Sequence, residues 1–171
     1  AELLPLAPMG EHAAWTGSYV VSEPAPDWME PSFDAGKWKT GAAPFGTKDK
    51  EPNVETDWQE PKIWIRREIE LEADLSGKSV YMEFTHDDDA ILYVNGIEVV
   101  NTGNSTGKNS RFKLPDHVVK TLKKGKNILA GYCYNRVANG YVDFGLFSEK
   151  EGSIQFENEA KQVIANVQAT Q

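Results

Sequence analysis

Apolar and polar residues alternate with a period of two over several short segments of the chain. In KIWIRREIELE (62–72), the three isoleucines, Arg67 and Leu71 share one face, and the residues between them share the other. That period is typical of a β-strand, because successive side chains point to opposite sides. Further strands are predicted at 79–84, 112–114, 127–135 and 141–147. Many short strands with turn residues between them, and almost no helical periodicity, predict an all-β fold, a β-sandwich.

A β-hairpin is predicted where AILYV (90–94) continues through Asn95-Gly96 into IEVVN (97–101). Asn-Gly between two apolar β segments favours a type I′ turn, since both central residues of that turn need a positive φ. Farther along, PDHVVKTLKKG (115–125) is typical of a short helix or turn that ends at Gly125. A glycine is the residue expected just after the last helical position.

One domain, residues 1–150, is predicted to be followed by a tail or linker, residues 151–171, that leads toward a following domain. A length of 171 residues suits one domain with a single core. The first 60 or so residues are rich in Pro, Gly, Trp and Asp, which predicts loops and short strands packed around tryptophans. In the tail, NEAKQVIANVQ (158–168) is compatible with a weak helix or with a linker and strand.

The charge and the cysteine content narrow the possible functions. The formal net charge is −8, which argues against nucleic-acid binding because no basic surplus can replace the counterions of a phosphate backbone. No apolar run approaches the roughly 20 residues that a membrane-spanning helix needs, so no membrane span is expected. Cys133 is the sole cysteine, and the alternation around it predicts a buried packing residue rather than a nucleophile.

Several motifs occur in an order that resembles a known fold family. They are FDAGKW (33–38), AAPFGTKD (42–49), TDWQEPKIWIRREIEL (56–71), HDDDAILYVNGIEVVNTG (86–103), LKKGKNILAGYCYN (122–135) and YVDFGLF (141–147). Over about residues 8–171 the chain resembles galactose-binding-domain-like jelly-roll modules. These include the sugar-binding domain of family 2 glycoside hydrolases and, more narrowly, the module embedded in glutaminase A-like proteins of Bacteroidetes.

The resemblance implies a non-catalytic module that flanks a catalytic domain in a large bacterial enzyme. The chain departs from the family pattern at Ala35, where relatives usually carry an acidic residue. It also has Tyr132 and Tyr134 where relatives carry histidines beside the cysteine. A polar or metal-binding role of those histidines would not carry over to this chain.

Three aspartates follow His86 and lead directly into the predicted hairpin. Aspartate readily bonds turn amides, so the first interpretation is that Asp87, Asp88 and Asp89 stabilise the loop before the strand. The alternative is a structural calcium ion held by Asp87 and Asp89, because alternate residues of a strand share a face and calcium prefers oxygen ligands. His86 is expected to bond Asp87 or a strand carbonyl in a structural role.

A carbohydrate site would combine an exposed aromatic ring with polar groups for the sugar hydroxyls. Trp28 and Trp58 lie in loops rich in Pro, Asp and Glu and are the candidate aromatic platforms, whereas Trp38 and Trp64 are expected to pack within the fold. The loop RVANGY, near one end of the sandwich, supplies the further candidates Arg136, Asn139 and Tyr141.

Arg66 and Arg67 are adjacent in a predicted strand, so alternation places one inward and one outward. The inward arginine needs a carboxylate partner, since an unpaired buried charge is costly. Asp143, in a late strand, is the candidate partner.

No catalytic constellation is recognisable in the sequence. The three histidines lie far apart, no nucleophile elbow or phosphate-binding loop occurs, and adjacent aspartates provide no cleft for a glycosidase carboxylate pair. We interpret the chain as a non-catalytic accessory module of a larger exported bacterial enzyme, a hydrolase resembling glutaminase A, with neighbouring domains of the same polypeptide as its partners. The alternative is a carbohydrate-binding module with a glycan site in the sandwich-end loops. Apart from the calcium ion, no cofactor is expected.

Overall fold

The alternating segments form two β-sheets in the computed structural model, which describes residues 3–150. The spatial order of sheet I is β10 (Thr106–Lys113), β7 (Val80–Asp87), β12 (Tyr141–Glu149), β4 (Phe45–Gly46) and β5 (Thr56–Asp57), and β1 (Leu3–Ala7) also pairs with β12. The order of sheet II is β3 (Lys39–Ala42), β2 (Thr16–Val20), β6 (Lys62–Leu71), β11 (Gly125–Tyr134), β8 (Asp89–Val94) and β9 (Ile97–Asn101). The β4–β5 pair is parallel, and the strands of sheet II pair antiparallel. The predicted β-sandwich of jelly-roll type is confirmed.

Apolar side chains from both sheets form one buried core. Ile63, Ile65 and Ile69 of β6 belong to it together with Met82 of β7 and residues of β12. Burying a side chain of this size stabilises the fold by roughly 1.5–3 kcal/mol. Cys133 is fully buried in the same core, as predicted, and burial raises the pKa of its thiol. Cys133 is therefore a packing residue.

The hairpin between β8 and β9 contains the predicted turn. Asn95 and Gly96 have φ angles of 46° and 86°, which is the requirement that favours Asn-Gly there. The Asn95 side chain also fastens the turn to the neighbouring chain, because its Oδ1 accepts from the Ile128 N–H (2.9 Å) and its Nδ2 donates to the Thr121 carbonyl (3.0 Å). Asn95 thus serves both the turn conformation and its attachment to β11.

Helix α1 (Asp116–Val119) ends earlier than predicted. Gly125 does not follow the helix; it is the first residue of β11, where its φ is 95°. The Asn127 side chain holds the segment between them in a non-helical form, since its Oδ1 accepts from the Lys123 N–H (3.2 Å) and its Nδ2 donates to the Lys123 carbonyl (2.7 Å). The predicted helix end at Gly125 is therefore wrong.

A loop, residues 21–38, covers the outer face of sheet II. Trp28 of this loop is 6% exposed, and its ring centroid lies 5.3 Å from that of Tyr93. The predicted packing roles of Trp64 and Trp38 are confirmed, because Trp64 is buried in the same cluster and Trp38 packs on it with its ring 5.6 Å from Phe33. The prediction that Trp28 is an exposed platform is wrong, since its ring is the contact by which the loop packs on the sheet.

The two arginines of β6 lie on opposite faces, as the alternation predicts, and both are buried, at 7% and 5% exposed. Arg66 points away from the core, but the 21–38 loop covers it: its Nη1 donates to the Trp28 and Glu30 carbonyls, each at 2.7 Å. Arg67 points inward. Its Nη1 donates to the Pro8 and Phe144 carbonyls, each at 2.8 Å, rather than to the predicted carboxylate of Asp143.

Arg67 keeps its charge although it is buried. Burial lowers the pKa of Arg67 to about 10, and the nearby Asp143 carboxylate opposes that decrease. The guanidinium also lies over the Trp15 ring, 4.3 Å from its centroid, where the electron-rich face attracts a cation. Trp15 thus stands between the two buried charges, because its Nε1 donates to Asp143.

Asp143 on β12 fixes the segment that follows β1. Its Oδ1 accepts from the Gly10 N–H (2.9 Å) and from Trp15 Nε1 (3.1 Å), and its Oδ2 accepts from the Glu11 N–H (3.1 Å). We call these four residues the Asp143 clasp. The segment passes so close to Gly145 that a Cβ there would lie 2.6 Å from the Met9 nitrogen. Burial raises the pKa of Asp143 to about 6, although three N–H donors favour the carboxylate.

The raised pKa of Asp143 predicts a pH-dependent stability. A carboxyl group whose pKa rises from 3.8 to about 6 on folding contributes stability below the unfolded value, and that contribution is lost as pH rises through the folded value. The free energy of unfolding of the wild type relative to Asp143→Asn should therefore fall from about pH 4 to about pH 7, by up to about 3 kcal/mol.

Urea unfolding of both proteins across this range measures the difference, in which the contributions of other titrating groups largely cancel. A difference in the free energy of unfolding that is constant or that increases with pH would contradict the raised pKa of Asp143.

Candidate functional site

A polar cavity of about 340 Å³ opens at one end of sheet I. Three strand ends meet there, because Asp87 at the end of β7 pairs with Tyr141 at the start of β12 and with Thr106 at the start of β10. Three carboxylates line the cavity, those of Glu11, Glu51 and Asp87, and Lys108 is the cation beside them. We call this cavity the acidic basin.

Each carboxylate of the basin is brought there by a different part of the chain. The Asp143 clasp fixes the backbone of Glu11, whose Oε1 accepts from the Tyr141 hydroxyl at 2.6 Å. Glu51 lies in the turn after β4, where its N–H donates to the Thr47 carbonyl (2.9 Å), and its Oε1 accepts from Asn139 Nδ2 at 3.4 Å. Asp87 comes from β7. Long-range packing, rather than local sequence, therefore assembles the basin.

The electrostatics of the basin reflect this crowding of acids. The pKa of Asp87 is raised to about 6. Burial is the largest cause, and the neighbouring Asp88 and Glu51 also contribute. Burial and the Glu11 carboxylate also raise the pKa of the Tyr141 hydroxyl, which therefore stays protonated and donates. At neutral pH the basin carries a surplus of negative charge.

His86 lies at the wall of the basin and is 4% exposed. Its Nδ1 lies 2.6 Å from the Asp88 carbonyl oxygen, so the predicted bond to a carbonyl is confirmed. A carbonyl only accepts, which places the hydrogen on Nδ1 and leaves a lone pair on Nε2 in the neutral ring. Within residues 3–150, Nε2 makes no hydrogen bond.

Asp88 and Asp89 do not line the basin and instead bond the loop after β11. Asp88 Oδ2 accepts from the N–H groups of Arg136 (2.7 Å) and Val137 (3.4 Å). Asp89 accepts two bonds from the Arg136 guanidinium, at 2.7 and 2.8 Å, which lowers the pKa of Asp89. The interpretation that these aspartates stabilise the loop before the strand is not what the structure shows for Asp88 and Asp89. Their carboxylates hold the loop after β11, which is distant in sequence.

The alternative for the aspartates, a calcium ion held by Asp87 and Asp89, stays a prediction. Asp87 lines the basin, whereas both carboxylate oxygens of Asp89 are engaged by Arg136. In the part of the chain that the structure describes, no group of three or more His, Cys, Asp or Glu side chains is arranged to hold a metal ion.

The five candidate glycan residues divide into two groups. Arg136, Asn139 and Tyr141 lie at the same end of the sandwich as the basin, and Asn139 and Tyr141 bond its carboxylates. Trp28 and Trp58 are buried, so their prediction as exposed platforms is wrong. Trp58 instead packs beneath Gly140, where a Cβ would lie 2.8 Å from its ring, and its Nε1 donates to the Lys62 carbonyl (3.2 Å).

Two basin residues, Glu11 and Glu51, carry no signal in the sequence. Both lie in irregular segments among many acidic residues, and the contacts that place them are made by residues far along the chain. The sequence singled out Asp87, Asn139 and Tyr141, but only the fold joins them to Glu11 and Glu51.

No protein-family model matches the chain, and no curated protein does. Solved structures do match. A β-glucuronidase from glycoside hydrolase family 2 matches with a TM-score of 0.57 and 22% identity over 79% of this chain and 18% of that one. A β-glucuronidase of Bacteroides uniformis matches with a TM-score of 0.55 and 16% identity, again over 79% of this chain and 18% of that one. A family 2 glycosyl hydrolase of Bacteroides cellulosilyticus matches with a TM-score of 0.55 and 14% identity, over 77% and 20%.

These matches concern the fold. They confirm the predicted resemblance to a domain of family 2 glycoside hydrolases as a likeness of architecture, and the chain spans about a fifth of the length of those enzymes. Among the described residues, no helix has the length and apolarity needed to span a membrane.

Replacement of Trp58 distinguishes a packing residue from a ligand platform. Trp58→Ala should destabilise the fold by about 3–5 kcal/mol, because it removes a buried ring and leaves a cavity under the loop that carries Asn139 and Tyr141. Chemical denaturation measures this change, and Trp38→Ala, at a half-buried tryptophan, is the comparison and should cost less. An unchanged stability for Trp58→Ala would contradict the packing role.

Metal removal tests the calcium alternative for the aspartates. Because Arg136 already neutralises Asp89, we expect excess EDTA to leave the melting temperature unchanged. A lower melting temperature in EDTA that calcium restores would establish the ion and overturn this expectation.

Proposed function

We propose that this chain is a non-catalytic accessory module of a larger exported bacterial enzyme, and that it positions or supports the catalytic domain of that enzyme. The observation that carries the proposal is the size of the structural match. The likeness covers most of this chain but about a fifth of much longer glycoside hydrolases. The parent enzyme is proposed to be a hydrolase, either a glycoside hydrolase or, from the motifs shared with that family, a glutaminase A-like protein.

The chemistry of the described residues supports a module without its own activity. The only thiol, on Cys133, is buried and protonated. Asp88 and Asp89 are committed to the 136–137 loop. Residues 3–150 also contain no group of three or more His, Cys, Asp or Glu side chains arranged to hold a metal ion that could activate a water molecule.

A contact surface for a neighbouring domain is supported at β1. Leu3 and Leu4 are 37% and 50% exposed, and they pair with Glu149 and Ser148 at the end of β12. Exposed leucines on an edge strand favour contact with another surface. They lie beside the point where the chain continues beyond residue 150, which is where a following domain would begin.

Carbohydrate binding is the second candidate function. Asn139 and Tyr141 bond two carboxylates that line a cavity of about 340 Å³, and Arg136 belongs to the same loop, where it bonds Asp89. That volume lies at the small end of the range for ligand pockets, roughly 300–1,000 Å³. The site would lack the tryptophan platforms that the sequence suggested, because both are buried.

The accessory role predicts an inactive module and a protected edge strand. The 171-residue chain should release neither ammonia from glutamine nor product from aryl β-glycosides. In the full-length protein, Leu3→Ser with Leu4→Ser should lower the melting temperature of the catalytic domain, because it removes an apolar contact. Val137→Ser is the matched control, since Val137 is 74% exposed and lies on the loop at the acidic-basin end of the sandwich. Hydrolysis by the chain alone, or equal effects of both variants, would contradict the proposal.

A further inference from the structure

The acidic basin presents hydrogen-bond acceptors to its interior. The Tyr141 hydroxyl is a donor that is already engaged with Glu11. Side chains that can both donate and accept also line the basin, namely those of Asn53, Thr85 and Thr106. The remaining carboxylate oxygens face a cavity in which Lys108 is the lining cation. A ligand that fits this lining must supply donors and positive charge.

His86 adds a further acceptor at the wall of the basin. His86 is 4% exposed, and its Nδ1 is bonded to the Asp88 carbonyl. Nε2 is thereby left as an acceptor without a partner in the described residues. Nε2 opens on the cavity, where a donor can reach it; the buried side-chain atom that lacks a partner in residues 3–150 is Asn135 Oδ1, not this nitrogen. Gly107 leaves room beside it, since a Cβ at Gly107 would lie 2.8 Å from Nε2.

The chemistry of the lining discriminates among ligand classes. Anions are excluded by the charge of Glu11, Glu51 and Asp87, and the described residues form no group suited to a metal ion. A neutral sugar would supply hydroxyl donors but would leave the negative charge uncompensated. An ammonium group supplies a positive charge and three donors. Hydroxyl groups next to the ammonium group would donate to the acceptors that it does not contact.

We propose that the acidic basin binds the protonated primary amine of a small hydroxylated ligand, of the class of amino sugars with a free amino group. The amine lies among Glu11, Glu51 and Asp87, and a neighbouring hydroxyl donates to His86 Nε2. This inference rests on the second candidate function, carbohydrate binding, and narrows it to one charge class.

Calorimetric titration of the whole chain with three probes tests the proposal. Glucosamine should bind roughly tenfold tighter than glucose, because a charge-assisted hydrogen bond contributes about 1.5 kcal/mol or more. It should also bind more tightly than Nα-acetyl-lysine amide, which carries an ammonium group without ring hydroxyls.

Equal binding of glucose and glucosamine would overturn the amine site while leaving carbohydrate binding intact. Absence of binding by all three probes would overturn both, and equal binding of the lysine derivative would overturn the role of the hydroxyls.

Two variants localise the site. Glu51→Gln should weaken glucosamine binding roughly tenfold. The matched control is Glu55→Gln, because Glu55 is an exposed glutamate of the same loop that does not line the basin. This control should bind glucosamine as the wild type does.

Gly107→Ala should also weaken binding, because the added methyl group crowds His86 Nε2 and the Ser110 hydroxyl. Melting curves establish that each variant is folded. Wild-type affinity in folded Glu51→Gln and Gly107→Ala would overturn the site.

The pH dependence supplies a further readout. Asp87 faces Asp88 and Glu51, and Glu11, His86, Lys108 and Tyr141 line the same cavity. Lowering the pH through about 6 protonates Asp87, which removes a negative acceptor, so glucosamine should bind more weakly at acidic pH. Affinity that is constant or higher at acidic pH would contradict the proposal.

Discussion

The buried carboxylate of Asp143 fixes the N-terminal segment against β12, and the other features of the sheet I end depend on it. Three N–H donors from Gly10, Glu11 and Trp15 converge on this one group. Hydrogen bonds to a charged group are each worth about 1.5–3 kcal/mol, which offsets part of the cost of removing the carboxylate from water, and the raised pKa of Asp143 reflects the remaining cost. Arg67 completes the arrangement from the opposite sheet, because it lies over Trp15 and donates to the Pro8 carbonyl. The clasp therefore ties both sheets to the same segment.

The position of Glu11 follows from the clasp. Its backbone N–H is bound by Asp143, and its side chain then reaches the Tyr141 hydroxyl two positions along β12. Without that constraint, Glu11 would not be held at the basin, and the carboxylates lining it would be those of Glu51 and Asp87. The structural role of Asp143 and the chemistry of the basin are thus parts of one arrangement.

Features set by short-range rules could be predicted from the sequence. The alternation in β6, the Asn95-Gly96 turn and the burial of Cys133 each depend on a few neighbouring residues. Features set by long-range packing could not. The 21–38 loop buries Trp28 and Arg66, and the loop after β11 rests on Trp58, although local composition predicted that Trp28 and Trp58 are exposed. The predicted tail, residues 151–171, lies outside the described residues.

The same distinction applies to function. The fold is shared with a domain of far larger glycoside hydrolases at identities of 14–22%, and a fold shared at that level does not carry a ligand with it. A ligand must be argued from the site itself, and in this chain the site is the polar lining at one end of sheet I. The acidic run that stands out in the sequence contributes Asp87 to that lining, while Asp88 and Asp89 serve the neighbouring loop.

The most direct test of the account follows the backbone amide resonances of the ¹⁵N-labelled chain during titration with glucosamine. The account predicts shifts confined to the basin, at Glu11, Glu51, Asp87 and Gly107, with the Trp28 cluster on the outer face of sheet II unaffected. Shifts centred on sheet II, or none at saturating glucosamine, would contradict it.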